Sequence, residues 1–150
     1  MNMKRVLAAG VFDLLHYGHI RYLEEAKKLG GPGAKLTVIV ARDETVRRMK
    51  GQGPVIPEDQ RRAVVEALKV VDEALLGFED MDLDRVIQQV KPDIVAVGHD
   101  QDAIRSHVEK IKKARELTLE IVQVGRFGEE DLNSSSMIKR RIVEGARTRA

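Results

Sequence analysis

Five short aliphatic runs, set apart by stretches of helical periodicity, constrain this chain more than any other feature. Arg5–Ala9, Lys35–Val40, Glu73–Leu76, Ile94–Val97 and Leu119–Val124 are each of strand length, and the first and fourth end at Gly10 and Gly98. Parallel strands need long crossover connections, usually helices, so this alternation predicts βαβ units and a parallel sheet. The segment from about Gly18 to Leu29 carries Ile20, Leu23 and Ala26 on one side, and Gly30-Gly31-Pro32-Gly33 ends it. Pro57, Glu58 and Asp59 suit a helix start, the proline in the first turn and the acids at the positive dipole end. That helix is expected to face the core through Ala63, Val64, Ala67, Leu68 and Val71. Leu83, Val86, Ile87 and Val90 fall at i, i+3, i+4 and i+7, a helical stripe closed by Pro92. A charged helix is expected over Asp102–Glu116, and a last one from about Ser134 with Met137, Ile138 and Ile142 inward. The expected fold class is α/β: one Rossmann-like, doubly wound domain over residues 1–150, with a parallel sheet of about five strands.

The core of such a sheet has to be aliphatic here, because aromatics are 3% of the sequence and tryptophan is absent. The absence of cysteine excludes disulfides, thiolate catalysis and cysteine-based zinc sites. Lysine plus arginine number 26 against 24 acidic residues, a balance that does not mark a nucleic-acid binder. No apolar run approaches the roughly 18 residues of a membrane span. The N-terminus also lacks the pattern of a signal peptide. A soluble, cytoplasmic protein with no membrane or nucleic-acid partner is the expectation.

Ligands of an open parallel sheet bind beyond the carboxyl ends of its strands. Gly10-Val11-Phe12-Asp13-Leu14-Leu15-His16-Tyr17-Gly18-His19 leaves the first strand and enters the first helix at such a place. Two histidines three apart at a helix N-terminus offer imidazole N–H donors where backbone amides already favour anions. Gly18 and Gly10 remove side chains that would keep a phosphate from the backbone. A surface pair of histidines is the ordinary alternative. A metal site lacks a third ligand at suitable spacing, and neither glycine pattern of the dinucleotide or P-loop fingerprints occurs. The segment therefore predicts binding of a nucleotide phosphate.

This motif resembles the signature of the cytidylyltransferase-like family within the HIGH-motif nucleotidyltransferases. Their second signature, a serine-rich helix start near the C-terminus, has its counterpart in Asn133-Ser134-Ser135-Ser136-Met137-Ile138-Lys139. Serine is also a favoured helix cap, and a capped N-terminus with spare hydroxyls can serve as an anion site as well. The resemblance implies that Val11, Phe12, His16, Tyr17, Gly18 and His19 line the nucleotide, with Ser135 and Ser136 on its phosphates. It implies catalytic roles for His16, His19 and Lys50, the last standing just before Gly51. Arg61 matches an arginine that holds the acceptor or triphosphate, with a surface role as the alternative. Asp100, in Gly98-His99-Asp100-Gln101, is either a helix cap or a group reading base or ribose. Arg126 and Phe127 would flank the base.

Within the family, four stretches are similar to the archaeal FAD synthase (FMN adenylyltransferase) branch. They are Val38–Val46, Val55–Arg62, Val71–Gly77 and Lys91–Val95. That branch implies ATP and FMN as substrates, a divalent metal (Mg²⁺ carried by the nucleotide, with no protein ligand), and a homodimer. Two departures stand out: the loop before the serine-rich helix, Gly128–Leu132, has no cysteine, and Tyr17 replaces the proline or tryptophan of several relatives. The rivals are a cytidylyltransferase acting on glycerol-3-phosphate or another alcohol phosphate, and a nucleotide-binding module without catalysis. RNA binding through Lys139-Arg140-Arg141 is weaker, since no aromatics interleave the run.

Overall fold

The computed structural model describes residues 3–79, 82–125 and 135–149. Five strands, β1 (Arg5–Gly10), β2 (Lys35–Val40), β3 (Glu73–Leu76), β4 (Ile94–Val97) and β5 (Glu120–Gln123), form one all-parallel sheet in the order β3-β2-β1-β4-β5. Six helices are described: α1 (Tyr17–Leu29), α2 (Asp43–Lys50), α3 (Glu58–Glu66), α4 (Leu83–Val90), α5 (Asp102–Ala114) and α6 (Ser135–Arg149). The expected fold class holds.

Both faces of the sheet are covered, so its strands are largely apolar, and all four residues of β4 are buried. Successive side chains point to opposite faces and divide the core in two. Val6, Ala8, Leu36, Val38 and Val40 pack with Leu23 and Ala26 of α1 and Val65 of α3. Leu7, Ile39, Val95 and Val97 pack on the other side with Val86 and Ile87 of α4 and Val108 and Ile111 of α5.

The inner face of α3 departs from the expectation. Val64 is 47% exposed, and Ala63 and Ala67 are exposed with it, whereas Leu68 and Val71 reach the core. The inward positions belong to Arg61 and Val65, four apart on one face, at 1% and 0% exposure. A charged residue thus occupies the position that an apolar stripe would predict to be aliphatic. On α6, Ile142 is 62% exposed rather than inward.

The chain runs outward from β1 through β2 to β3, then crosses back to place β4 on the other side of β1. At that reversal the connections leave β1 and β4 toward opposite faces, opening a crevice beyond their carboxyl ends. The HxGH segment lies there.

Candidate functional site

The chain leaves β1 through a loop whose backbone is strained at two residues. Phe12 and Leu14 take φ of 55° and 50°, a region that costs a residue with a Cβ about 1–2 kcal/mol. The Phe12 ring, 4% exposed, folds back over Gly10, where a Cβ would stand 2.9 Å from its Cε2 and Cζ. The space at Gly10 is therefore filled by Phe12, not left open for a phosphate.

Two buried side chains hold this loop in shape. Arg61 donates from Nη1 to the Val11 carbonyl at 2.7 Å, from Nε to the Ile56 carbonyl at 2.8 Å, and from Nη2 to Asp43 Oδ1 at 2.6 Å. At 1% exposure with these donors committed, its guanidinium is a strut between the loop and the segments at 43 and 56. The expected role in gripping an acceptor or triphosphate does not suit that placement. Asp13, 3% exposed, is the second. It accepts from the backbone N–H of Val55 at 2.8 Å and of Ile56 at 2.9 Å, and pairs with Lys139 Nζ at 3.1 Å. The Ser135 hydroxyl donates to its carbonyl oxygen. Burial pushes the Asp13 carboxyl up, but the two N–H donors and Lys139 outweigh it and hold the pKa below the usual carboxylate value. Asp13 thereby joins the HxGH loop, the segment after α2 and the start of α6. The sequence offered no signal for it beyond membership of the motif.

His16 caps α1, and the amides of His19 and Ile20 donate to its carbonyl at 3.1 and 3.3 Å. The two imidazoles stack with centroids 3.8 Å apart at 26°, and the Phe12 ring meets His19 edge-on at 5.3 Å. The His16 amide donates to His19 Nδ1 at 3.3 Å, so neutral His19 carries its proton on Nε2. His16 Nδ1 is buried without a protein partner. Burial drives the His19 pKa down to about 3, helped by His16 and by the Lys50 ammonium; burial also lowers that of His16. Near neutral pH the pair consists of two uncharged hydrogen-bonding rings at the positive end of α1. Lys50, exposed in the last turn of α2 before the left-handed Gly51 (φ 77°), supplies cationic charge close enough to act on His19.

Across the crevice, the loop after β4 carries Asp100, exposed. Gln101 clamps this loop: its Oε1 accepts from the Gly98 amide at 2.8 Å and its Nε2 donates to the Ala9 carbonyl at 2.9 Å, tying β4 to β1. Gln123 Nε2 adds a bond to the His99 carbonyl at 3.3 Å. Neither glutamine was foreseen. Tyr17, in the first turn of α1, is 63% exposed; Ser135 opens α6 and Ser136 follows, exposed. Arg126, Phe127 and Ser134 lie outside the described residues. Among the described residues, no group of three or more histidine, cysteine, aspartate or glutamate residues could hold a metal ion. Nor is any helix among them long and apolar enough to cross a membrane.

A crevice at the reversal of a doubly wound sheet, with imidazoles at a helix N-terminus and an exposed lysine acting on one of them, is an arrangement of the nucleotide-binding α/β class. Residues 7–141 match the cytidylyltransferase-like family, and the chain belongs to it. The FAD synthase of Methanopyrus kandleri is 45% identical over 94% of this chain and 93% of its own length. That of Archaeoglobus profundus is 46% identical over 98% and 91%. Among solved structures, a lipopolysaccharide core biosynthesis protein from Thermoplasma volcanium superposes with a TM-score of 0.77 at 42% identity, covering 85% of this chain and all of that one. A protein of unknown function from Archaeoglobus fulgidus shares the fold, with a TM-score of 0.61 at 23% identity.

Proposed function

We propose that this chain is an FAD synthase, transferring AMP from ATP to FMN. The observation that carries the proposal is the near-full-length similarity to archaeal FAD synthases, on a chain whose two signature segments are joined through Asp13. The FMN phosphate oxygen attacks the α-phosphorus in line, forming the new P–O bond as the α–β bridging bond breaks and pyrophosphate leaves. The attacking oxygen is already anionic near neutral pH, so no general base is required. Positioning and charge stabilisation then do the catalytic work.

His16 and His19 would hold the α- and β-phosphates, with His19 nearest the bridging oxygen. The Nε2–H of His19 is fixed as a donor by the bond at Nδ1. Lys50 and the hydroxyls of Ser135 and Ser136 take further phosphate charge. Asp100, on its clamped loop, reads base or ribose. The described residues offer imidazole, ammonium and hydroxyl groups rather than a carboxylate cluster. Mg²⁺ would accordingly be held by the triphosphate, where it supplies charge neutralisation for the departing pyrophosphate. A cytoplasmic homodimer is part of the same reading.

The test is a product assay: the protein with ATP or CTP, Mg²⁺, and FMN or glycerol-3-phosphate. FAD and pyrophosphate from ATP plus FMN alone is the expected result. A CDP-alcohol from CTP would overturn the acceptor and nucleotide together, and bound ATP without pyrophosphate release in any mixture would overturn catalysis.

A further inference from the structure

The geometry points to Tyr17 as the stacking platform for the isoalloxazine ring of FMN, with Met49 and Val55 as exposed apolar side chains on the neighbouring segments tied to the same loop. The inference rests on the proposed acceptor and deepens it, since a flavin presents a large flat ring that water solvates poorly and an aromatic face receives well.

Aromatics are few: three phenylalanines, two tyrosines and no tryptophan. Among the described residues, three of these rings are already committed. Phe12 is 4% exposed beneath His19 and against Gly10. Tyr22 is packed on the core with its hydroxyl donating to the Ala96 carbonyl at 2.7 Å. Phe78 lies against the second core cluster, and Arg85 covers its ring at 4.0 Å. Tyr17 alone of the described aromatics is exposed, at 63%. It sits between His16 and Gly18 in the first turn of α1, where the phosphates are bound in the proposed reaction.

Two other large apolar side chains are exposed on segments tied to the same site. Met49, 54% exposed, stands in the last turn of α2, whose first residue Asp43 is held by Arg61, the side chain that also grips the Val11 carbonyl. Val55, 57% exposed, is fixed by its amide to Asp13, three residues before His16. Exposed large apolar side chains on segments that border a polar crevice suit the receipt of apolar ligand surface. FMN carries its phosphate at one end and its ring one ribityl chain away. An acceptor phosphate delivered beside His19 therefore places the ring at the rim, outside the phosphate pocket. The nucleotide base, by contrast, is read across the crevice by the Asp100 loop.

Titration of FMN fluorescence tests the idea, because an aromatic side chain stacked on isoalloxazine quenches it. Wild-type protein should quench the emission. Tyr17→Phe should keep both affinity and quenching. Tyr17→Ala should abolish quenching and raise the Kd for FMN about tenfold, the loss typical of removing one stacked ring, with the Kd for ATP unchanged. Unaltered quenching and affinity in Tyr17→Ala would overturn the inference while leaving the proposed activity standing. So would a loss of ATP affinity instead, which would make Tyr17 the adenine's platform. A wild-type protein that neither binds FMN nor forms FAD would overturn the proposed function along with it.

Discussion

Replacing Arg61 by methionine separates two roles that the sequence left open, a ligand-gripping cation and an internal strut. Methionine keeps much of the volume of the arginine stem and removes the guanidinium. It takes away three short hydrogen bonds, of 2.8, 2.7 and 2.6 Å, leaving the Ile56 and Val11 carbonyls and the Asp43 carboxylate without their partner. Breaking a buried charged interaction by removing one side typically costs about 3–5 kcal/mol, because the remaining groups stay desolvated and unpaired. Asp43, with its side chain 25% exposed, recovers some hydration, which places the expected loss toward the lower end of that range. For a chain of this length each kcal/mol lowers the midpoint by about 2–4 °C, so the variant should melt roughly 6–12 °C below wild type. Differential scanning calorimetry and urea titration give the two numbers independently. The strut also shapes the HxGH loop through Val11, so kcat should fall even at temperatures where the variant is fully folded. A midpoint within about 2 °C of wild type combined with a raised KM for either substrate would refute this reasoning and restore Arg61 to the ligand.

His19→Ala should lower turnover by about two to three orders of magnitude, the loss expected for one charge-stabilising donor, as measured in steady-state FAD formation. Lys50→Ala should cost about two orders of magnitude in kcat with an unchanged melting midpoint, since the side chain is exposed and holds nothing together; a shifted midpoint would count against a purely electrostatic role. The folded chain resists protonating His19 until about pH 3, whereas the unfolded chain takes up that proton near 6.5. The stability this contributes is full above about pH 6.5 and lost as pH falls toward 3, so His19→Gln should flatten the decline of the urea midpoint over that window. Parallel declines for the two proteins would rule the assignment out. Asp13→Ala strands the Val55 and Ile56 amides and should destabilise by about 2–4 kcal/mol in urea titration, and Lys139→Met in that background should add little further loss if the two share one interaction.

The elements of the sheet were legible because burial on both faces leaves the strands as largely aliphatic runs, and the helices between them predict parallel pairing; the order β3-β2-β1-β4-β5 comes from the structure. The position of His16 and His19 was equally legible, since a loop leaving β1 for α1 has to pass the carboxyl edge. What sequence could not display was the direction of the polar side chains. The stripe Ala63-Val64-Ala67 looked like a core face, yet the helix turns so that Arg61 and Val65 point inward, because a guanidinium with three acceptors around it can be buried at tolerable cost. Asp13 was hidden for a related reason: its partners are backbone amides at positions 55 and 56 and a lysine at 139, and amides leave no trace in residue identity. Gln101 and Gln123 belong to the same group, tying loop carbonyls and amides by contacts that no spacing rule predicts.

The left-handed turns at Phe12 and Leu14 bear on how portable this motif is. A peptide spanning residues 10–19 carries the histidines but not the forces that bend its backbone, which come from α3 through Arg61 and from the amides at 55 and 56 through Asp13. Grafted behind the first strand of another doubly wound protein, the ten residues would relax toward ordinary dihedrals and the imidazoles would part. A working transplant has to include the distant clamps as well, so the smallest unit that can be moved is the loop together with an arginine some fifty positions downstream.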